Sequence, residues 1–283
     1  MVRAIVSAIV PGRIEVTAMR FPAPAFVIVA AAVPLAVALA QTPTNAIRAA
    51  VSAPTRTPAN VARDRYRHPA ETLAFFGVKP TDTVVEIWPS AGWYTEILAP
   101  YLAKGGMLYA AGPSEKGLGG VRGLMTANPG VYGKVRPAIF PAVAGQPTVP
   151  AGSADVVLTF RNVHNWRFGT ADRMQLAFDQ MFAMLKPGGT LGLVEHRLPE
   201  TQAGVTEGQS GYMKKSSVVA AATKAGFRLA GESPVNANPK DTHDYPGGVW
   251  TLPPNYAEKD KDRARYAAIG ESDRMTLRFV KPR

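Results

Sequence analysis

Short, continuous apolar runs alternate with helical spacings along most of this chain. Residues 83–87 (TVVEI), 107–111 (MLYAA), 154–160 (ADVVLTF) and 190–195 (TLGLVE) are apolar at successive positions, as in strands covered on both faces. Another short strand is expected near 135–140. Strands at 227–233 and 274–280 close the chain, the last (RMTLRFV) with period-two alternation. Helices are expected over 61–76, stopped by Gly77, and over 95–103, stopped by Lys104-Gly105-Gly106. Two more are expected over 172–185, stopped by Lys186-Pro187-Gly188-Gly189, and over 216–225, stopped by Gly226. Strands alternating with helices over this length argue a doubly wound α/β sheet. The long connection between 227–233 and 274–280 makes those two strands a terminal antiparallel pair carrying a polar, proline-rich insertion at 236–270.

The N-terminus departs from this pattern. Residues 26–40 are almost wholly apolar, follow Arg20 and end in Ala38-Leu39-Ala40. This charged, apolar and small-residue order is that of a secretory signal, with the cut between Ala40 and Gln41 and with Met19 as an alternative start. The run contains Pro34 and is shorter than the roughly 20 residues of a membrane span. The expected organisation is a signal peptide at 1–40, a flexible linker rich in Thr, Ala, Pro and Asn at 41–60, and a folded domain at 61–283. The expected protein is exported to the periplasm without a stable membrane span; an uncleaved N-terminal anchor is the alternative.

Composition narrows the chemistry. The chain has 283 residues, 46% of them apolar, so a full core is within reach despite 26 glycines and 25 prolines. Its net charge of +11 suits an anionic surface or an anionic substrate. The basic residues are scattered and no basic–aromatic interleaving is present, so a small-molecule ligand is expected and a nucleic-acid partner is not. The lack of cysteine excludes a thiolate metal site, a thiol nucleophile and a lipidated cysteine.

Several residues carry candidate chemistry. The run from Glu86 to Trp93 reads as a strand, a small-residue turn and the start of a helix, a unit that presents backbone N–H groups to a ligand. Arg161-Asn162-Val163-His164-Asn165-Trp166 follows the ADVVLTF strand directly, at the edge where open α/β sheets place their sites. His164 is the candidate general base; Asn162 and Asn165 are placed to orient a ligand and Trp166 to stack on it. Glu195 and His196 end the next strand on the same edge and would complete a polar cluster. Together with Asp241, His243 and Asp244 they supply donors suited to zinc or iron, but the spacing fits no compact metal motif and no metal site is assigned. Arg65, Tyr66, Arg67 and His68 read as a solvated face of the first helix, or else as part of a lid. Trp250, Pro253, Pro254 and Tyr256 suit either a cover over the cleft or a small satellite core.

The segments VVEIWPSAGWYTEIL, ADVVLTFRNVHNW and MLKPGGTLGLVEH, in this order, resemble the class I S-adenosylmethionine (SAM) methyltransferases. The resemblance spans about 61–283, and the helix–LKPGG–strand segment is its most specific part. More narrowly, EIWP-x-x-GWYTEILAPYL with NPKDTH is similar to an exported group of predicted methyltransferases. The resemblance implies a Rossmann-like methyltransferase sheet and SAM as cofactor, with Glu86, Trp88, Ser90, Gly92 and Asn162 around it. In that superfamily an acid ends the first strand and three glycines follow at alternate positions. Here Glu86 takes the acid position, Trp88 and Ser90 replace two glycines, and Gly92 keeps the third. The second strand, which ordinarily ends in an acid that holds the ribose, here ends Tyr109-Ala110-Ala111-Gly112-Pro113. Trp88 would stack on a ligand or fill the vacant pocket as core. A methyltransferase acting on a small or envelope-associated acceptor and a degenerate fold with another ligand or chemistry are the two functions implied.

Overall fold

A computed structural model describes residues 44–168 and 172–283. The expected signal peptide, its cleavage site and the start of the expected linker lie outside these residues.

The four runs read as buried strands form the middle of one sheet. They are β1 (Thr83–Ile87), β2 (Met107–Gly112), β4 (Ala154–Phe160) and β5 (Leu185–Leu198), with β3 (Arg136–Ile139) on the outer edge of β2. The order is β3-β2-β1-β4-β5-β8-β7, where β7 is Arg228–Ser233 and β8 is Arg274–Val280. All neighbours up to β5 run parallel, and β8 is antiparallel to both β5 and β7. A two-residue strand, β6 (Met213–Lys214), pairs with the end of β5. The chain therefore has a Rossmann-like methyltransferase fold, with the antiparallel terminal pair as expected.

Successive residues of a strand serve opposite layers. Val84 joins the core shared with α1 (Asn45–Val51), α4 (Pro69–Phe76) and α5 (Thr95–Leu102). Val85 and Ile87 join the core on the other face, which includes α9 (Met174–Met184) and α10 (Lys215–Lys224). Among the described residues, no helix is long and apolar enough to cross a membrane.

Three expectations change in detail. Residues 44–60 are not featureless: α1 buries Ile47 and Ala50, Thr44 caps it, and α2 (Pro58–Val61) follows. The single helix expected over 61–76 is two short ones, α3 (Asp64–Arg67) and α4. The break falls at His68, because the residue before a proline disfavours helical backbone; His68 turns left-handed (φ 40°) and Pro69 begins α4. The LKPGG segment is a bulge within β5 rather than a stop before it. Leu185 pairs with Ala154 and Thr190 with Val156, and Gly188 takes φ 80° between them. Between β2 and β4 the chain also forms α6 (Gly119–Ala127) and α7 (Pro129–Tyr132).

Gly192 shows how closely α4 lies on β5. A Cβ there would stand 2.6 Å from the Phe76 ring and 2.8 Å from Leu158. Both neighbours are fully enclosed and have nowhere to move. Gly192→Ala is therefore expected to destabilise by about 1–3 kcal/mol, read from the shift of a urea unfolding midpoint at unchanged slope.

The insertion at 236–270 is tied to the sheet at both ends. Asn236 Nδ2 donates to Thr72 Oγ1 and Thr276 Oγ1, and Asp241 accepts from Tyr212 OH and from the Asp273 amide. Tyr245 and Leu252 pack with Tyr266 of α11 (Arg263–Ile269) in a satellite core, while Trp250, Pro253 and Pro254 face the cleft described next. Both roles foreseen for this segment are filled, by different residues.

Candidate functional site

A cleft of about 330 Å³ opens at the C-terminal ends of β1, β4 and β5. The turn after β1, the segment after β4, the end of β5 and the insertion form its walls. His164, Glu86, Trp88, Ser90 and Asn162 all line it; Gly92 does not.

His164 lies in α8 (Val163–Arg167), which starts at the end of β4 and points its first amides at Glu195 of β5. Glu195 Oε2 accepts from Val163 N (2.6 Å) and His164 N (3.2 Å). Its Oε1 accepts from His196 N (2.7 Å) and pairs with His164 Nδ1 (2.9 Å). The carboxylate thus stabilises the amide end of α8 and fixes the imidazole in one orientation. His164 Nε2 has no partner among the described residues, so it is the nitrogen left for a ligand in the cleft. His196 sits 5.3 Å from the His164 ring and shares a short hydrogen bond with Ser272 Oγ (2.5 Å). Burial and the charges of His164, Arg161, Arg274 and Arg67 push the His196 pKa well below its ordinary value, so it is neutral near pH 7.

His164, Glu195 and His196 place donor atoms close enough to hold a metal ion. However, four N–H groups already occupy the two Glu195 oxygens, and a metal would have to displace them. The geometry favours Glu195 as the group that positions His164. Asp241 and His243 do not join this cluster: Asp241 is taken up by Tyr212 and backbone amides, and Asp244 is exposed and bonded by Thr242.

The turn after β1 keeps a left-handed path despite its side chains: φ is 48° at Trp88, 53° at Ser90 and 84° at Gly92. Positive φ is uncommon for a bulky residue. Trp88 is held there by two hydrogen bonds, N–H to Ala111 O (2.7 Å) and Nε1–H to Phe140 O (2.8 Å). Its half-buried indole meets Trp166 edge-on at 6.0 Å and lines the cleft. Trp166 is buried among Trp88, Phe140 and Phe178, so it supports the wall instead of stacking on a ligand. Gly92 suits its φ of 84°, which side chains rarely adopt; a Cβ there would also lie 2.6 Å from the end of the half-buried Leu124 side chain, which would have to shift. Asn162 spends its Nδ2 on Ile87 O (2.9 Å) and Thr159 Oγ1 (3.2 Å), tying β4 to β1. Asn165 is exposed.

Glu86 is buried and accepts a hydrogen bond from Thr95 Oγ1 (2.6 Å). Burial outweighs the side-chain and backbone hydrogen bonding from Thr95 and raises its pKa to about 7 from 4.5. Between these values the unfolded chain ionises and the folded one does not, so stability falls as pH rises. The loss is roughly 3 kcal/mol, complete above pH 7. Glu86→Gln is expected to remove this slope between pH 4.5 and 7 in urea titrations. A slope unchanged in the variant would assign it to another group.

Arg67 was expected on a solvated helix face or else as part of a lid. Its side chain is only 4% exposed and lines the cleft with Arg63 and Arg161, which departs from the solvated face. Arg63 Nε (2.7 Å), Arg67 Nε (3.1 Å) and Arg274 Nη1 (3.0 Å) all donate to Glu271. The four-residue spacing of Arg63 and Arg67, which places both on one helical face, was the available signal.

No family model and no curated protein matches this chain. Solved structures with the same fold include a SAM-dependent methyltransferase from Aquifex aeolicus, 14% identical, covering 78% of this chain and 93% of its own, with a TM-score of 0.53. They also include the cyclase SpnF, 13% identical, covering 79% of this chain and 81% of its own, with a TM-score of 0.53. At these identities the likeness establishes the fold.

Proposed function

We propose that this protein is a SAM-dependent methyltransferase acting on a small acceptor. One observation carries the reading: the Glu86 turn and the Glu195-held His164 open into one cleft, at the strand ends where a methyltransferase fold brings donor and acceptor together. SAM fits this cleft in part. Glu86 offers a buried carboxylate to its ammonium group, Ser90 and the turn amides offer further polar contacts, and the half-buried Trp88 indole in the cleft wall offers a stacking surface for its base. The ribose has no acid at the end of β2, because Glu115 is turned to the surface and paired with Arg122. When bound, SAM supplies a methyl group on a sulfonium centre, open to in-line attack by a nucleophile. His164 Nε2 takes the proton of the attacking group, Glu195 steadies the resulting imidazolium, and the cleft walls hold the acceptor in line. The signal-like N-terminus adds the proposal that this happens outside the cytoplasm, to be checked by sequencing the N-terminus of exported protein for a start at Gln41.

Calorimetric titration with SAM and S-adenosylhomocysteine tests the reading. Micromolar binding supports it, and no binding up to millimolar ligand removes it. Trp88→Ala is expected to weaken S-adenosylhomocysteine about tenfold, the contribution of one stacked base. The substituted turn and the acid-free β2 end favour a second reading, in which the fold has given up SAM for another ligand or chemistry. The cyclase SpnF shows this fold in a protein named for another reaction. In that case Trp88→Ala leaves S-adenosylhomocysteine unbound or improves its binding by vacating space.

A further inference from the structure

We propose that the acceptor is an anion, a small molecule whose carboxylate or phosphate group docks on Arg63, Arg67 and Arg161 beside His164. This rests on reading the cleft as an active site. Four guanidinium groups, those of Arg63, Arg67, Arg161 and Arg274, surround a single carboxylate, Glu271, and both of its oxygens are already engaged. Arg274 also donates to Tyr66 O, keeps its Nε without a partner among the described residues, and lies off the cleft. The other three face it with donors to spare. Arg67 is nine-tenths buried and more, yet its Nη2 has no partner among the described residues; the same holds for Arg63 Nη2. Arg161 makes no side-chain hydrogen bond among the described residues.

Buried donors without partners beside a water-accessible cleft call for a ligand that accepts, and like charges crowded together call for one that is negative. The crowding is felt within the cluster. Burial first, and the Arg161 charge next, lower the Arg67 pKa to about 9, and burial with Arg274 and Arg63 lowers that of Arg161 to about 10. Arg161 also holds an uncommon left-handed backbone (φ 62°), pinned by its amide to Val194 O at 2.7 Å. That conformation turns the residue at the end of β4 into the cleft.

The position of the cluster selects the acceptor. Arg161 lines the cleft together with His164 and His196, and its charge acts on both Glu195 and His196, so a group docked on it lies next to the His164–Glu195 pair. The same field repels a cation and attracts an anion, which raises the local concentration of a negatively charged acceptor.

Calorimetry of the mature protein at low salt with inorganic phosphate, and separately with succinate, tests this. At least one is expected to bind at millimolar affinity or tighter, to lose tenfold or more in Arg161→Ala and Arg63→Ala, and to bind still with S-adenosylhomocysteine present. Binding by phosphate alone assigns a phosphate ester, and binding by succinate alone assigns a carboxylate. Binding by neither, or equal binding by wild type and by both variants in folded form, overturns the proposal. Displacement by S-adenosylhomocysteine also overturns it, since the arginines would then serve the cofactor's own carboxylate. If the anion binds and S-adenosylhomocysteine does not, methyl transfer fails and the anion site stands.

Discussion

Replacing Glu271 by glutamine is expected to cost roughly 3–5 kcal/mol of folding stability, the scale for removing one partner from a buried ionic cluster. Glu271 is only 5% exposed and, among the described residues, is the one carboxylate bonded to Arg63, Arg67 and Arg274. An uncharged amide leaves these guanidinium groups facing one another with nothing to offset them. The pH dependence has a definite sign. The arginines hold the Glu271 carboxyl at about 2, below its usual 4.5, against the opposing effect of burial. Its folded pKa is depressed, so its contribution of roughly 3 kcal/mol is present in full above pH 4.5 and is lost as pH falls towards 2. The variant should lack this acid-limb loss, in contrast to Glu86→Gln, whose effect lies between pH 4.5 and 7. Urea unfolding of wild type and variant at pH 3 and pH 6 measures both. A variant within 1 kcal/mol of wild type at pH 6 would show that the cluster is solvated well enough to need no carboxylate. Phosphate should stabilise the variant more than the wild type, because the vacated charge adds to the demand for an anion.

Much of the sheet was legible because a strand buried on both faces needs apolar residues at every position. TVVEI and ADVVLTF therefore coincide with β1 and β4, while the period-two alternation of RMTLRFV coincides with β8. The turn chemistry was legible as well, since Gly77 and Gly226 end α4 and the segment after α10 in left-handed conformations. His164 and Glu195 could be placed on one edge from the ends of two adjacent strands. Their shared hydrogen bonds could not, because those depend on α8 starting at Val163.

The less legible parts depend on contacts distant in sequence. Arg67 reads as a solvated residue in a local window, and only its pairing with Glu271, on the far side of the insertion, shows that it is buried. The α1 segment reads as linker because Ile47 and Ala50 are too few to announce a face; their burial comes from α4 and α5. Trp88 was visible as an anomaly, but whether its ring met protein or solvent turned on the Phe140 carbonyl at the end of β3.

His164→Ala is expected to lower turnover by about 10²–10⁴-fold, the usual contribution of a positioned general base, while leaving S-adenosylhomocysteine affinity unchanged. Among the described residues the imidazole bonds to Glu195 and packs on His196 and Trp250, not on Trp88 or Glu86, so its loss should fall on kcat. Imidazole added to the solution should restore part of the rate to the alanine variant, because the cavity left beside Glu195 retains the acceptor that orients the ring. Glu195→Gln separates positioning from structure. Glutamine keeps one acceptor oxygen but turns an amide N–H₂ towards N–H donors, from Val163 and His164 or from His196 and the His164 ring. The ring then loses its fixed orientation, and kcat should fall with KM for the acceptor unchanged. If kcat and KM worsen together in Glu195→Gln while His164→Ala keeps full turnover, the pair serves only to anchor α8. The proton would then have to leave by another route.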